Sequence, residues 1–395
     1  MDFQRIVDPY REMLAHVRRD LHRIPEIGFS EEKTSRYVAE FLRDAGLKVE
    51  TGIARYGVVG HVKGAAPGPT LMIRSDMDGL PISEETELPF ASTHNGMMHA
   101  CGHDGHTAVG LTVAQILEKH KDEWAGTVKL VFQPAEEGLG GARAMVKDGV
   151  LTNPVPDFSL GMHVWNDQPT GKIAATSGPM MAAAEMFRVT ITGKGAHGAS
   201  PHLGKDPILA AAQIITALQS VVSRNVDPLE TAVVSITAIN GGTAFNVIPP
   251  AVELKGTIRT YLPEIREMVL RRVEEIIQGV AEAMQCTAEV SIEDVTPAVI
   301  NDSRLAKLMN NVRQEVLPGT EDISGLQTMG SEDMAYLMDE IPGCYIFVGS
   351  KNEEKDLIYG HHHPKFDFDE QALLQGVALI SASAVAVLNG GVPEK

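Results

Sequence analysis

The amino-acid sequence predicts an α/β protein with a mixed, mostly parallel sheet flanked by helices and a smaller α+β domain inserted into the chain. Two observations lead to this fold class. Short apolar runs bounded by turn residues alternate with helical patterns over residues 1–182, as in parallel sheets that are covered on both faces. The order of elements changes over residues 183–293, and the first pattern resumes over residues 294–395.

The first part of the chain begins with two predicted helices. Apolar residues recur at helical spacing over residues 7–24, and a second helix is predicted to begin at Ser30, whose hydroxyl can cap it, and to stop at Gly46. Four apolar runs are then predicted as strands, at residues 58–62, 70–73, 127–132 and 158–164. Helical patterns at about 106–120 and 141–149 separate the later strands.

The middle of the chain has the order strand, helix, strand, strand, helix, strand. These elements are predicted at residues 184–193, 204–224, 231–239, 251–261, 264–284 and 287–293. The order is that of a ferredoxin-like sheet with two helices on one face. A strand at 344–349 and a helix at about 370–389 return to the first pattern. We therefore predict a larger domain of residues 1–182 and 294–395 and an inserted domain of residues 183–293.

Composition limits the partners and the compartment. The formal net charge is −18, from 52 acidic and 34 basic residues, and nucleic acid or an anionic membrane would require a basic surface instead. Three scattered cysteines, Cys101, Cys286 and Cys344, are typical of a reducing compartment. The N-terminal residues lack the apolar core of a signal peptide, and no run reaches about 18 apolar residues. We expect a soluble, cytoplasmic protein.

Residues 99–106, HACGHDGH, concentrate side chains that bind metal ions. They contain three histidines, one thiol and one carboxylate, directly before a predicted helix. A thiolate beside imidazoles is typical of a transition-metal site, and the glycines let the backbone fold closely around an ion. Taken alone, the segment is equally compatible with a polar loop whose histidines cap the helix.

Three further segments add candidate ligands. Glu136 and Glu137 follow a predicted strand, at the edge where α/β sheets place their ligand crevices, so that one carboxylate can bind metal while the other acts as a general base. His163 ends another strand, and a row of three histidines precedes Pro364. Each feature alone is usually structural. Their joint occurrence on different loops of one α/β unit predicts ligands that converge on one or two metal ions.

Segments spread over nearly the whole chain resemble the hippurate hydrolase and N-acyl-L-amino-acid amidohydrolase family. They are HRIPEIGFSE, RSDMDGLPI, MHACGHDGHTA, VFQPAEEGLGGARAMV, GMHVW, GKGAHGASPH, GGTAFNVIPP, GTIRT, GSEDMAY and HHPKFDFDE, in matching order and spacing. The family includes the plant indole-3-acetyl-amino-acid hydrolases and belongs to the aminoacylase and zinc carboxypeptidase-like superfamily. The resemblance implies a zinc-peptidase-like catalytic domain with an inserted lid and dimerisation domain.

The resemblance also implies two divalent metal ions in each subunit. The positions that match the family's ligands are Cys101, His103, Glu137, His163 and His362. The thiolate of Cys101 suits a bridging role, and His362 is the first histidine of the family's His-x-Pro element. Thiolate, imidazole and carboxylate ligands together are compatible with zinc, manganese, cobalt or nickel. Many relatives in the wider superfamily have a His-x-Asp ligand motif where this chain has Asp76-Met-Asp78, and we expect Asp78 to orient a ligand imidazole from behind.

The implied reaction is hydrolysis of the amide bond of an N-acyl amino acid, such as a hippurate-like or N-acetylated substrate. Glu136 matches the general base that takes a proton from water and then protonates the leaving amine. His197 resembles the histidine that stabilises the oxyanion, and Asn246 and Arg259 resemble the pair that grips the substrate carboxylate. In relatives the lid histidine can reach into the partner's site, which implies a homodimer. Arg259 could alternatively be a strand residue that pairs with a surface acid.

Two other readings remain open from the sequence. A metallo-carboxypeptidase, dipeptidase or carbamoylase would use the same metal ligands with a different acyl group. A metal-storing or regulatory protein would keep the ligands without the chemistry. Glu136 argues against the second reading, because a purely structural metal site does not need a general base.

Overall fold

The structure, a computed structural model, describes residues 1–393. The described residues divide into two compact units. Unit 1 contains Met1–Met180, Ile300–Gln327 and the segment that begins at Asp333, and unit 2 contains Met181–Val299 and Thr328–Glu332. Unit 1 has a mixed sheet flanked by helices, and unit 2 is an α+β unit inserted into its sequence, so the predicted fold class is confirmed.

Helices and strands alternate through most of the described chain. In chain order the helices are α1 (Phe3–Val7), α2 (Arg11–His22), α3 (Glu32–Asp44), α4 (His103–Lys119), α5 (Gly141–Lys147), α6 (Pro207–Asn225), α7 (Pro263–Ala283), α8 (Ser303–Val316), α9 (Ala335–Met338) and α10 (Gln371–Leu388). The strands are β1 (Lys48–Ile53), β2 (Gly57–Lys63), β3 (Thr70–Asp76), β4 (Thr127–Gln133), β5 (Phe158–Pro169), β6 (Lys172–Ala174), β7 (Gly178–Met181), β8 (Ala183–Thr192), β9 (Ala196–His197), β10 (Ala232–Asn240), β11 (Val247–Ile248), β12 (Ala251–Thr260), β13 (Thr287–Thr296), β14 (Val299–Asn301), β15 (Glu321–Asp322) and β16 (Gly343–Lys351).

The main sheet of unit 1 brings several strand ends to one edge. Its strands lie in the order β1-β2-β4-β3-β5-β16-β6-β15. β4, β3, β5 and β16 run parallel to one another. β2 pairs antiparallel with β4, β1 pairs antiparallel with β2, and β6 pairs antiparallel with β16. All of β3 and nearly all of β16 are buried, as expected for strands that are covered on both faces. Arg74 pairs with Gly161, so that Asp76 at the end of β3 lies level with His163 on β5.

The core of unit 1 contains α4 and α10. Most residues of both helices are buried, and α10 packs against α4, α8 and β16. α10 has the length and the mean hydropathy, 1.8, of a membrane-spanning segment, but 83% of it is buried inside the protein. Its apolar composition is explained by its position in this core.

The start of α3 differs from the prediction. The helix begins at Glu32, and the residue before it makes no capping hydrogen bond with its side chain. The carboxylate of Glu26 instead accepts the backbone N–H groups of Lys33 and Thr34, each at 2.9 Å. The predicted cap by Ser30 is therefore wrong, because an acidic side chain from the preceding turn satisfies these donors.

Unit 2 has the predicted order of strand, helix, strand, strand, helix, strand. Its main sheet has the strand order β10-β12-β8-β13, and neighbouring strands are antiparallel. Apolar side chains of α6 and α7 form a common core with one face of this sheet. Side chains that alternate to the other face, such as Met186 and Arg188, are exposed. A separate pair of short strands, β9 and β11, carries His197 opposite Val247.

Candidate metal centre

The loop that carries Cys101 leads through Gly102 into α4, which begins at His103. Gly102, between them, has φ +91°, and a Cβ at this position would lie 2.5 Å from Cγ2 of Val164. A side chain at residue 102 would therefore meet both backbone strain and a steric clash. The glycine allows the loop to pack closely on β5, where the Cys101 Sγ lies 3.4 Å from the Nε2 of His163.

His103 has one nitrogen held and the other directed at carboxylates. Its Nδ1 lies 3.0 Å from the carbonyl oxygen and 3.2 Å from the Oδ1 of Asp78, so it is the protonated nitrogen. Its Nε2 is buried without a hydrogen-bond partner among residues 1–393 and lies 4.0 Å from Oε2 of Glu136 and 3.9 Å from Oε1 of Glu137. Such a fixed tautomer is typical of a histidine that binds metal through Nε2.

The electrostatics around His103 favour a cation. Burial disfavours a charged imidazole, but the carboxylates of Asp76 and Asp78 outweigh this effect and raise the pKa of His103 well above its ordinary value. The same negative potential would attract a divalent ion in place of a proton.

His163 presents a neutral imidazole to Cys101. Its Nδ1 donates to the carbonyl oxygen of Val164, which leaves Nε2 with a lone pair facing the thiol. Burial, together with the nearby His106, holds the pKa of His163 well below its ordinary value. Burial and the neighbouring carboxylate of Glu137 raise the pKa of the Cys101 thiol, so a metal ion would be needed to stabilise the thiolate there.

His362 is the member of the histidine row that faces the cluster. Its Nε2 lies 3.3 Å from the Oε1 of Glu137, and its backbone N–H donates to the carbonyl of Ala100 at 2.8 Å. The Nε2 of His361 accepts the backbone N–H of Asn166 instead, and the ring of His363 stacks on Tyr359. The geometry thus distinguishes His362 from its two neighbours.

The turn that carries Glu136 and Glu137 is held from two sides. Glu31, which is buried, accepts the backbone N–H of Ala135 at 2.8 Å, and the Oδ2 of Asp78 accepts the N–H of Glu137 at 3.0 Å. Ala135 has φ +57°, a conformation that requires such support in a residue other than glycine. Burial raises the pKa of Glu31 to about 7.

His99 and His106 lie beside the ligand residues in sequence but have different surroundings. The Nδ1 of His106 donates to Asp76 at 2.7 Å and its Nε2 accepts the N–H of Val164 at 2.9 Å, so that neither nitrogen is available to a metal ion. His106 instead positions the backbone next to His163. Burial lowers the pKa of His99 to about 4, which keeps it neutral.

The five residues predicted as ligands are brought together in unit 1. Their donor atoms form overlapping groups within 4.8 Å of one another: Cys101 with His103 and His163, and Cys101 with Glu137 and His362. Glu136 joins a third group with His103 and Glu137. The Nε2 of His103, which has no hydrogen-bond partner among residues 1–393, shows that the cluster leaves a buried lone pair for an ion to satisfy. Thiolate, imidazole and carboxylate donors of this kind fit divalent transition metals.

The residue predicted to stabilise the oxyanion and the two predicted to bind the substrate carboxylate belong to unit 2. His197 is exposed on β9, where its Nδ1 accepts the N–H of Ala199 at 3.0 Å. Asn246 lies next to it, since its carbonyl accepts the N–H of Gly198 at 2.7 Å. Arg259 lies on a different sheet, on β12, where it is half-buried and lines a cavity of about 340 Å³ within unit 2. The structure brings His197 and Asn246 together, and it places Arg259 on the main sheet of this unit.

A buried ionic network behind the cluster was not predicted. The Nδ1 of His22, on α2, lies 2.8 Å from the Oδ2 of Asp104, the residue after His103. Arg18 donates to the same oxygen at 2.9 Å. Burial would raise the pKa of Asp104, but Arg18 and His22 hold it well below its ordinary range. The sequence signal was the HRIPE segment, whose single histidine has no evident structural role at the end of a helix.

The pKa of His22 predicts a loss of stability at alkaline pH. Burial disfavours the charged imidazole, but Asp104 and Glu84 raise the pKa of His22 to about 9. Because this value exceeds the ordinary 6.5, the interaction stabilises the fold fully below about pH 6.5 and is lost as the pH rises through 9. The full shift corresponds to about 3 kcal/mol in the free energy of unfolding.

Urea unfolding of the metal-free protein at about pH 6 and about pH 10 measures this effect. Metal-free protein is required because metal affinity itself depends on pH. We expect the free energy of unfolding to fall more steeply in the wild type than in a His22→Gln variant. An equal fall in both proteins would assign the pH dependence to other groups.

Known proteins are similar to this chain over nearly its whole length. The N-acetylcysteine deacetylase of Bacillus subtilis is 39% identical over 96% of this chain and 98% of its own length. Thermostable carboxypeptidase 1 of Saccharolobus solfataricus is 38% identical over 96% of each chain. The crystal structure of the YXEP protein of Bacillus subtilis, a dinuclear metal binding peptidase from the M20 family, superposes with a TM-score of 0.85 at 36% identity, covering 96% of this chain and 99% of that one. The family model for Peptidase family M20/M25/M40 matches residues 72–385, and the chain therefore belongs to that family of hydrolases.

Proposed function

We propose that this protein is a metal-dependent amidohydrolase that cleaves N-acyl amino acids, hippurate-like or N-acetylated, to a carboxylic acid and a free amino acid. The observation that carries the proposal is the position of Glu136. Its Oε2 lies 4.0 Å from the orphaned Nε2 of His103, beside a second carboxylate, Glu137, that belongs to the ligand groups. A carboxylate at the margin of a metal cluster is placed to accept a proton from a water there.

Two divalent ions, zinc, manganese, cobalt or nickel, would be held by Cys101, His103, Glu137, His163 and His362. When bound, such ions supply a water of lowered pKa and polarise the scissile carbonyl. The thiol of Cys101 belongs to both ligand groups, which supports a bridging role.

The side chains of the chain itself perform the proton transfers. Glu136 takes the proton from the attacking water and then gives it to the amine nitrogen, which must be protonated to leave. His197 would donate to the oxyanion, a role in which one placed donor contributes about 3 kcal/mol. The ring is exposed, so it is accessible for such a role. Its segment is held by the hydrogen bond from the N–H of Gly198 to the carbonyl of Asn246. Asn246 and Arg259 would hold the substrate carboxylate.

The proposal includes a cytoplasmic homodimer. Unit 2 supports it, because exposed apolar side chains lie on that unit, among them Leu203, Leu209 and Phe245. The net charge of −18 supports a small-molecule substrate in preference to nucleic acid or a membrane surface. Sedimentation of the full chain at several concentrations tests the dimer.

A second candidate is a metallo-carboxypeptidase, and dipeptidase or carbamoylase activity belongs to the same group of alternatives. The Saccharolobus relative, thermostable carboxypeptidase 1, favours it, because it is 38% identical over nearly the whole length. Both candidates cleave an amide next to a free carboxylate and differ in the group on the acyl side. Residues that hold the carboxylate therefore serve either activity.

A substrate panel combined with metal analysis tests the proposal. Purified protein is analysed for bound metal and assayed with N-acetyl, N-benzoyl and N-carbamoyl amino acids and with dipeptides. We expect about two metal ions per chain and the highest kcat/KM on N-acetyl or N-benzoyl substrates. A preference for dipeptides or longer peptides would favour the peptidase alternatives, and bound metal without hydrolysis of any amide would contradict an enzymatic role.

Replacing Arg259 with alanine is expected to act mainly on substrate binding. The guanidinium suits a planar carboxylate, so the variant should raise KM for carboxylate-bearing substrates by about 10- to 100-fold with a smaller change in kcat. Arg271→Ala is the matched control, because Arg271 lies on α7 of the same unit with its side chain 68% exposed. Kinetics on N-acyl amino acids and on the corresponding amino-acid amides measure the effect. An equal loss on both substrate types would show that Arg259 does not hold the carboxylate.

A further inference from the structure

Helix α2 places a buried guanidinium between two loops that carry proposed metal ligands. The side chain of Arg18 is 1% exposed. Its Nε donates to the Oδ2 of Asp104 at 2.9 Å, its Nη2 to the Oδ1 of Asp367 at 2.7 Å and its Nη1 to Glu370 at 3.2 Å. One side chain thus connects α2 to two segments that lie far apart in the sequence.

The partners of Arg18 are adjacent to the ligands. Asp104 directly follows His103 in the first turn of α4. Asp367 lies five residues after His362, in the segment that leads from the histidine row into α10. A movement of either carboxylate would therefore be transmitted through a few residues to a proposed ligand.

Aromatic rings exclude water from the guanidinium. Its Cζ lies 5.0 Å from the ring centre of Phe90 and 4.3 Å from that of Phe368. An arginine between two rings and three carboxylates has few alternative positions, because its planar fork must satisfy fixed acceptors. A lysine ammonium at this site could not make three directed contacts in the same plane.

We infer that Arg18 is a positioning residue for the metal centre, which holds the Cys101–His103 loop and the His362 segment in the relative arrangement that both metal ions require. This inference rests on the proposed function, because it takes Cys101, His103 and His362 as ligands. It goes beyond that function by assigning metal affinity to a side chain that contacts no metal. A purely structural ion network would stabilise the fold without changing metal affinity.

Metal affinity of the full chain is the direct test. Metal-free wild type and Arg18→Lys are titrated with Zn²⁺ against a chelator, and with Co²⁺ while the thiolate-to-cobalt absorption is recorded. We expect the variant to bind Zn²⁺ about 10- to 100-fold more weakly, as found when groups that orient ligands are removed, and to show an altered cobalt spectrum. Unchanged affinity and spectrum in a folded Arg18→Lys variant would overturn the inference.

Arg313→Lys is the matched control. Arg313 is also a buried arginine of unit 1, 4% exposed, but it donates to the carbonyl of Thr320 at 2.8 Å, away from the ligand loops. We expect this variant to lose thermal stability and keep the metal affinity of the wild type. Equal losses of affinity in both lysine variants would assign the effect to general destabilisation and overturn the inference.

Asp367→Asn covers the case in which Arg18→Lys does not fold. Asp367 is partly exposed, 13%, and its replacement by asparagine removes the charge from the link to the histidine segment while Asp104 keeps its own contact with Arg18. We expect weaker binding of Zn²⁺ in this variant, and unchanged binding would contradict the inference. The wild type distinguishes failure of the proposed function from failure of this inference. A wild-type chain that binds neither Zn²⁺ nor Co²⁺ contradicts the proposed function. Binding by the wild type with equal affinity in all variants contradicts only the role of Arg18.

Discussion

Replacing Glu136 with glutamine is expected to lower kcat by about 10²- to 10⁴-fold and to leave the metal content unchanged. The amide has nearly the size of the carboxylate but cannot accept a proton from water or deliver it to the leaving amine. KM should change little, because the proposed substrate contacts lie elsewhere. Steady-state kinetics and metal analysis of the same preparation measure both quantities.

Glu137→Gln is the informative control, because it changes the neighbouring residue in the same way. The Oε1 of Glu137 lies 3.3 Å from the Nε2 of His362 and belongs to the ligand groups. We expect this variant to lose metal together with activity. The metal content of the two variants would then distinguish the role of Glu136 from that of Glu137. Near wild-type turnover in Glu136→Gln would remove the proposed base.

Replacing Cys101 with alanine is expected to empty the metal centre. The thiol takes part in the group with His103 and His163 and also in the group with Glu137 and His362, so its loss should weaken both sites. Metal content should fall from about two ions per chain to below one, and activity by more than about 100-fold, since even groups that only orient ligands cost 10- to 100-fold. Metal analysis after gel filtration measures the stoichiometry.

Cys344→Ala controls for the loss of a buried thiol. Cys344 is fully buried on β16, and it belongs to none of the ligand groups found among residues 1–393. This variant should lose some stability through the cavity that it leaves and should keep its metal and activity. If Cys101→Ala also kept two ions, the thiol could not be a ligand.

Much of the fold was predictable because its signals are local. The buried strands β3, β4 and β16 are apolar runs with turn residues at each end, and α4, α6 and α7 follow helical spacing. The ligand candidates were predictable because thiols, imidazoles and paired carboxylates occur at the ends of these strands. Parallel strands have their carboxyl ends at the same edge of a sheet. The sequence therefore predicted that Glu137 and His163, which lie at the ends of two such strands, would lie close together.

β1 and α8 were not predicted, for different reasons. β1 has only exposed and half-buried residues, so it shows no apolar alternation, and it forms because β2 pairs with it at the sheet edge. β1 therefore depends on tertiary contacts more than on its own residues. α8 has local signals that were missed: its buried residues recur at helical spacing, and Asp302 caps it by accepting the N–H groups of Arg304 and Leu305.

The supporting residues of the metal centre could not be identified from sequence spacing. Arg18 and Arg19 are adjacent on α2, yet one side chain is 1% exposed and the other 46%. Only the packing of α2 on α4 decides which of the two enters the interior. Similarly, nothing in the local sequence indicates that Glu31 accepts the N–H of Ala135, more than 100 residues away.

The backbone hydrogen bond from His362 to Ala100 joins segments 262 residues apart, next to Cys101. A chain leaving the ribosome would therefore complete the proposed set of ligands only after residue 362 has been made. Ions held by the proposed ligands would then bind after the rest of unit 1 has formed its sheet, and they would oppose separation of the His362 segment from the Cys101 loop.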